Sequence, residues 1–233
     1  MNAARSRITL PFLIFVTPVL MWLFLLIVLP HIDLLLMSFR IEDDAGAMVW
    51  SLINYLNFFG EPVYWRTFAR TAVYAILTTS ITFAVSLPVA FYITKVVSPR
   101  FSGFLSLLLL MPFWVSELVR VYGWMILLRE SGVINHLLLQ AGLLQRPVEM
   151  LYNDIAMVMG LVYTSMLFMV VPLISVLESL DDSLIEAAYD LGGTVFSIVT
   201  RIIIPHAMPG IVSGGIVVFM LTLGNYLTPN LIG

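Results

Sequence analysis

The sequence contains no cysteine, so disulfides, thiol catalysis and cysteine-ligated metals are excluded. Histidine is almost as scarce. His31, His136 and His206 stand far apart, with no second His or Cys at metal-site spacing, so no metal and no cofactor is expected. Lysine occurs once, at Lys95, without the preceding glycines of a phosphate-binding Gly-x-x-x-x-Gly-Lys-Ser/Thr loop; the chain cannot bind ATP in that way. Charge is the largest deficit: 11% of residues are Asp, Glu, Lys or Arg, against about 25% in soluble domains. The net charge of −3 is too small to suggest nucleic acid as a partner. What remains is 61% hydrophobic, the composition of an integral membrane protein.

The apolar residues fall into five stretches. Arg5 and Arg7 precede the first, Ile8 to Ile32. It is too long for a signal-peptide core and lacks a small-residue cleavage site, so an uncleaved first span is expected, kinked or ended at Pro18 and Pro30. Ser38 to Phe68 then reads as an external loop, its aromatics Trp50, Tyr55, Phe58, Phe59, Tyr64 and Trp65 suited to the headgroup level. The second span, Thr71 to Ile93, carries Thr78, Thr79, Ser80, Thr82 and Ser86, small hydroxyl residues that face a bundle rather than lipid. Lys95 to Arg100 turns the chain back.

Phe101 to Leu128 is the third stretch, interrupted by Pro112, Glu117 and Arg120. Glu117 and Arg120, three apart, share a face of a helix. Ionisable residues at membrane depth are costly and face a cavity or each other, which makes this pair the candidate pathway site, subject to Arg120 neutralising Glu117. An external loop from Arg129 to Glu149 comes next, then a fourth span, Ile155 to Leu177, and a fifth, Ile211 to Leu227, with Gly210 and Gly214 as a close-packing pair. Charges do not orient the bundle, because five basic residues fall on each side; Arg5 and Arg7 place the N-terminus in the cytoplasm.

Between the last two spans lies a polar island, 178–205. Glu178, Asp181 and Asp182 lead into a short helix with Ser183 at capping-box distance from Glu186. Gly192-Gly193 supplies a left-handed stop, Thr194 caps a second helix, and Pro205 ends or kinks it.

The island resembles the EAA loop of the membrane subunits of binding-protein-dependent ABC importers. Glu186-Ala187-Ala188, then Gly192, Ile202 and Pro205 stand at that loop's spacing, with Ile204 in place of its leucine. Pro112-Phe113-Trp114, Leu118 to Trp124, Gly160-Leu161-Val162-Tyr163 and Asn225-Tyr226-Leu227-Thr228-Pro229 are similar to permeases of the spermidine/putrescine type.

The resemblance implies an all-α, polytopic helix bundle with the type I importer permease fold. Residues 1–66 would hold the first span and external loop, and 67–233 the permease core. Such permeases carry a sixth span after this ending, so a fragment or a short form is expected. It further implies a multi-pass bacterial inner-membrane protein that is not an enzyme. Its partners would be ATPase subunits met by Glu186, Ala187, Ala188, Gly192, Ile202 and Pro205, a second permease and an external solute-binding protein. A polyamine is the solute implied, with aminophosphonate or iron as alternatives within the class. A secondary transporter or a non-conducting subunit are the alternatives outside it; the former often shows internal repeats, and none is apparent.

Overall fold

A computed structural model describes residues 10–43 and 46–233, and of 10–13 only the backbone. Arg5 and Arg7 lie outside the described residues. The chain divides into Met1–Phe68 and Ala69–Gly233.

In the first unit, α1 (Leu10–Leu23) continues through a π-helical segment, Phe24–Val28, into α2 (Leu29–Ser38). Of the kink or end expected at Pro18 and Pro30, an end occurs at neither, since both lie within helix. A proline lacks the N–H for the bond four residues back and its ring crowds that carbonyl; the wider π turn just ahead accommodates both. After α2 a two-stranded antiparallel hairpin, β1 (Arg40–Glu42) and β2 (Met48–Trp50), replaces part of the expected interfacial loop. The Arg40 guanidinium stacks 4.8 Å from the centre of the Trp50 ring, and the Asn54 amide bonds both Ser38 O and Arg40 O. Asn54 belongs to α3 (Ile53–Gly60), whose Phe58 and Phe59 gather against Tyr64 and Trp65 with ring centres 5.4–5.9 Å apart. These last two stand in α4 (Pro62–Phe91), within which the division between the units falls.

The helix of α4 therefore starts nine residues before the expected Thr71, and a π segment, Tyr92–Val96, extends it. Ala75, Thr78, Thr82, Ser86 and Ala90 recur at helical spacing and are all fully buried, as the hydroxyl pattern requires of a bundle-facing stripe. The third apolar stretch is not one helix. α5 (Pro99–Leu110) and a 3₁₀ turn, Met111–Trp114, meet α6 (Glu117–Leu128) and α7 (Val133–Gln140) at a bend of 91°. Val115 and Ser116 are extended, with ψ of 134° and 141°, so the ladder stops there. Buried Asn135, in α7, staples the chain on either side of that helix: its amide donates to Arg129 O and Val148 O, and its oxygen accepts from Val148 N.

α8 (Asp154–Glu178) is the central helix. Asn153 caps it, accepting from the N–H groups of Ile155 and Ala156. It packs along α11 (Ile204–Leu223), where Gly210 and Gly214 admit the backbone of α8. A Cβ on Gly210 would stand 2.9 Å from Pro172 O, and one on Gly214 3.1 Å from Phe168 O. That Phe168 carbonyl is the one Pro172 leaves without its helical N–H. Ala90, Met169, Val170, Leu173, Leu177, Ile203 and Val218 form the main core. A smaller one joins Val121, Leu128, Leu151 and Ala156 to Ile232 of α12 (Leu227–Ile232).

Between α8 and α11 run α9 (Asp182–Asp190) and α10 (Val195–Ile198). α10 is not a separate helix ended by Pro205. It passes through a π segment, Val199–Ile203, straight into α11, so one apolar helix extends over Val195–Leu223. Among the described residues four helices are long and apolar enough to cross a membrane, and five if the bent pair counts as one span.

Candidate functional site

Two places bring the expected site residues together. The first is a cavity of about 330 Å³ bordered by α6, α8 and the bend between α11 and α12. Glu117 opens α6, where a carboxylate also suits the helix N-terminus. Its Oε1 accepts a hydrogen bond from the Asn225 side-chain amide at 2.7 Å. The Asn225 Oδ1 in turn accepts from Thr228 N, in the first turn of α12, at 3.0 Å. Arg120, one turn along α6, borders the same cavity but forms no ion pair with Glu117; its Nε is buried without a hydrogen-bond partner. Glu117 and Arg120 thus share the cavity without pairing with each other. The remaining wall is mixed: Thr164 and Ser165 from α8, the edge-to-face pair Phe113 and Phe168 at 5.3 Å, and Tyr226. Asn225 and Tyr226 had a sequence signal as part of the Asn-Tyr-Leu-Thr-Pro ending. Thr164 and Ser165 had one as adjacent hydroxyls in an apolar run.

The second is the island. Asp181, not Ser183, caps α9: its carboxylate accepts from Ser183 N at 3.0 Å. This backbone N–H first, then the Ser183 hydroxyl and the Lys95 charge, hold the Asp181 carboxyl below its usual range. Glu186 lies mid-helix and exposed, so it does not cap the helix start. The helix stop is as expected. Gly192 has φ of +78°, its N–H bonds Tyr189 O, and Gly193 N–H reaches back to Ala188 O, the Schellman arrangement. Thr194 Oγ1 then accepts from Ser197 N at 3.3 Å.

Ile185, Ala188 and Ile202 turn towards the main core, whereas Ala187 and Pro205 are exposed. The outer side is unusually apolar for a polar island: Leu191 is 89% and Phe196 78% exposed, beside Leu184, Tyr189 and Val195. Lys95, unremarked as a site residue from sequence, reaches the island from the end of α4. Its Nζ donates to Leu180 O and pairs with Asp182 Oδ1 at 2.8 Å. No group of three or more His, Cys, Asp and Glu suited to a metal occurs among the described residues.

No family model matches the chain. The fold is shared with a chain in the crystal structure of a bacterial ABC transporter involved in the import of the acidic polysaccharide alginate, at a TM-score of 0.71 and 19% identity, covering 93% of this chain and 75% of that one. In sequence it is 28% identical to the Escherichia coli inner membrane ABC transporter permease protein YdcU over 237 residues, 95% of this chain and 75% of the relative. Together with the more similar permease proteins that follow, this sets the class as a multi-pass permease subunit of an ABC importer, in the inner membrane and not itself an enzyme, rather than a secondary transporter.

The Haemophilus influenzae spermidine/putrescine transport system permease protein PotB is 34% identical over 214 residues, 91% of this chain and 74% of its own length. The Escherichia coli protein of the same name is 35% identical over 214 residues, 91% of this chain and 77% of its own. The chain belongs to the family of these spermidine/putrescine transport system permease proteins.

Proposed function

We propose that this permease carries a polyamine, spermidine or putrescine, and that Glu117 receives an ammonium group of the solute at the outer mouth of the path. The observation that carries this reading is the Glu117–Asn225 hydrogen bond. A neutral amide orients the carboxylate without cancelling its charge, while the Phe113 and Phe168 rings and Tyr226 offer surfaces for the methylene segments and for cation–π contact. The path would be shared with a second permease subunit and fed by an external solute-binding protein.

The permease core, 67–233, would receive its energy through the island 178–205 on the cytoplasmic side. There α9, with Glu186 and Ala187 outward and Ala188 seating it on the core, would dock on a separate ATPase subunit. The exposed Leu184, Tyr189, Leu191 and Phe196 support this, since such a patch in a water-facing loop calls for a partner. Gly192, Ile202 and Pro205 would set the direction in which the loop returns to the membrane.

A second reading, a solute with an anionic group beside its ammonium, is favoured by the unpartnered Nε of Arg120. Uptake of labelled spermidine into vesicles holding the full complex tests both. Competition by putrescine and not by an aminophosphonate supports the first; the reverse supports the second.

A further inference from the structure

The single lysine of the chain sits where the inner end of one span meets the start of the island. The side chain of Lys95 is 8% exposed, although it ends in an ammonium group. Burying that charge is costly unless it is paired and hydrogen-bonded, and here it is both. Its two acceptors belong to consecutive pieces of another part of the chain. Leu180 O lies in the link between α8 and α9, and Asp182 is the first residue of α9. Lys95 itself lies in the π segment at the end of α4, beside buried Ile93.

Little else holds α9. It is nine residues long with no fully buried residue, and only Ile185 and Ala188 pack inward. Its C-terminal end is steered by the Gly192 turn. At its N-terminal end, buried Leu180 seats the preceding link in the main core, and Lys95 adds the polar tie to another span.

We infer that Lys95 is a positioning residue that pins α9 to the end of α4, so that the two move as one body when the ATPase displaces α9. This rests on the proposed docking of α9 and goes beyond it. The island itself is covalently joined only to α8 and α11; through Lys95 the stroke also reaches α4, whose buried Thr78–Thr82–Ser86 stripe faces the bundle. Asp182 is half of the pin, and Asp181 beside it keeps the cap that shapes the same turn.

The test uses the complete complex, with both permeases, the ATPases and the binding protein, in proteoliposomes. The readout is the ratio of ATP hydrolysis with loaded binding protein to hydrolysis without it, beside uptake. Lys95→Met should insert and copurify normally but lower that ratio by about five-fold or more, the lower edge of ordinary coupling strengths. Lys95→Arg should recover at least half of it. Asp182→Ala, at an exposed position that does not threaten folding, should lower the ratio as well, and the double variant should be no worse than Lys95→Met alone, as expected of two halves of one contact. In a Lys95→Cys/Asp182→Cys protein, a short bifunctional thiol reagent should restore the ratio; this sequence brings no other thiol, and the reagent on the wild-type complex is the control.

A normal ratio and normal uptake in both Lys95→Met and Asp182→Ala would overturn the inference. So would additive losses, or a bridged protein that stays uncoupled. A wild-type complex without stimulation, or without a copurifying ATPase, would instead overturn the docking of α9 itself.

Discussion

Glu117 and Asn225, 108 residues apart, meet at 2.7 Å where α6 begins and α11 bends into α12. The bond joins the cavity wall to the cap of a helix, so the charge in the cavity and the shape of its rim depend on one side chain. Glu117→Gln preserves a partner for Asn225 and removes only the charge. A hydrogen bond to a charged group contributes about 1.5–3 kcal/mol, so the KM for a cationic solute should rise about tenfold or more at equal amounts of inserted protein. Initial uptake rates across solute concentrations measure this. An unchanged KM would remove Glu117 from the path.

Asn225→Ala should do more than Glu117→Gln, because it also removes the cap-like acceptor of Thr228 N in the first turn of α12. Loss of a capping side chain costs about 0.5–2 kcal/mol. The variant should show faster hydrogen exchange in 227–232 as well as weakened uptake, whereas Glu117→Gln should leave exchange there unchanged.

The contact of α8 and α11 gives a stability prediction with its own control. A side chain at Gly214 meets Met169 and Phe168 O within 3.1 Å, backbone that cannot step aside. Gly214→Val should therefore lower the stability of the purified subunit by about 1–3 kcal/mol, seen as a reduced melting temperature in detergent. Gly103→Ala, on α5 with open space around it, should be neutral or slightly stabilising.

The hydropathy of the chain announces its spans, and the five-stretch reading survives in outline. Boundaries were hidden because π segments let helices run through Pro30 and Pro205, residues that sequence rules treat as stops. The 91° bend in the third stretch was hidden for another reason: two extended residues, Val115 and Ser116, sit in a run that is apolar on both sides.

At the island, the Glu-Ala-Ala spacing and Gly192 were readable because a left-handed stop needs glycine. The cap is ambiguous in sequence because Asp181 and Ser183 are both good caps, and only the backbone decides which precedes the first turn. Asn225 and Lys95 owe their roles to partners 108 and 85 residues away, which no local pattern contains.

The Asp181 cap predicts insensitivity to pH near neutrality. Its carboxyl is held below the usual range, chiefly by Ser183 N–H, so the folded turn favours the ionised form. The sign is that of a depressed carboxylate: the cap is fully present at neutral pH, above the usual carboxyl pKa of about 3.9, and is lost as pH falls through the lowered value. Stimulation of ATP hydrolysis in the assembled complex should not change between pH 5.5 and 8 on account of this residue, and Asp181→Asn, which keeps an acceptor, should retain stimulation where Asp181→Leu does not.

The central claim is that the island of 178–205 transmits the work of an ATPase to the permease, and Gly192 tests it most directly. No atom crowds the position, but its φ of +78° strains any side chain by about 1–2 kcal/mol and would re-aim the chain into α10. The measurement is ATP hydrolysis by the reconstituted complex of Gly192→Val, with and without loaded binding protein, beside solute uptake. The account predicts an inserted protein whose uptake collapses and whose ATPase either dissociates or no longer responds to the binding protein. Normal stimulation together with normal uptake in Gly192→Val would contradict it.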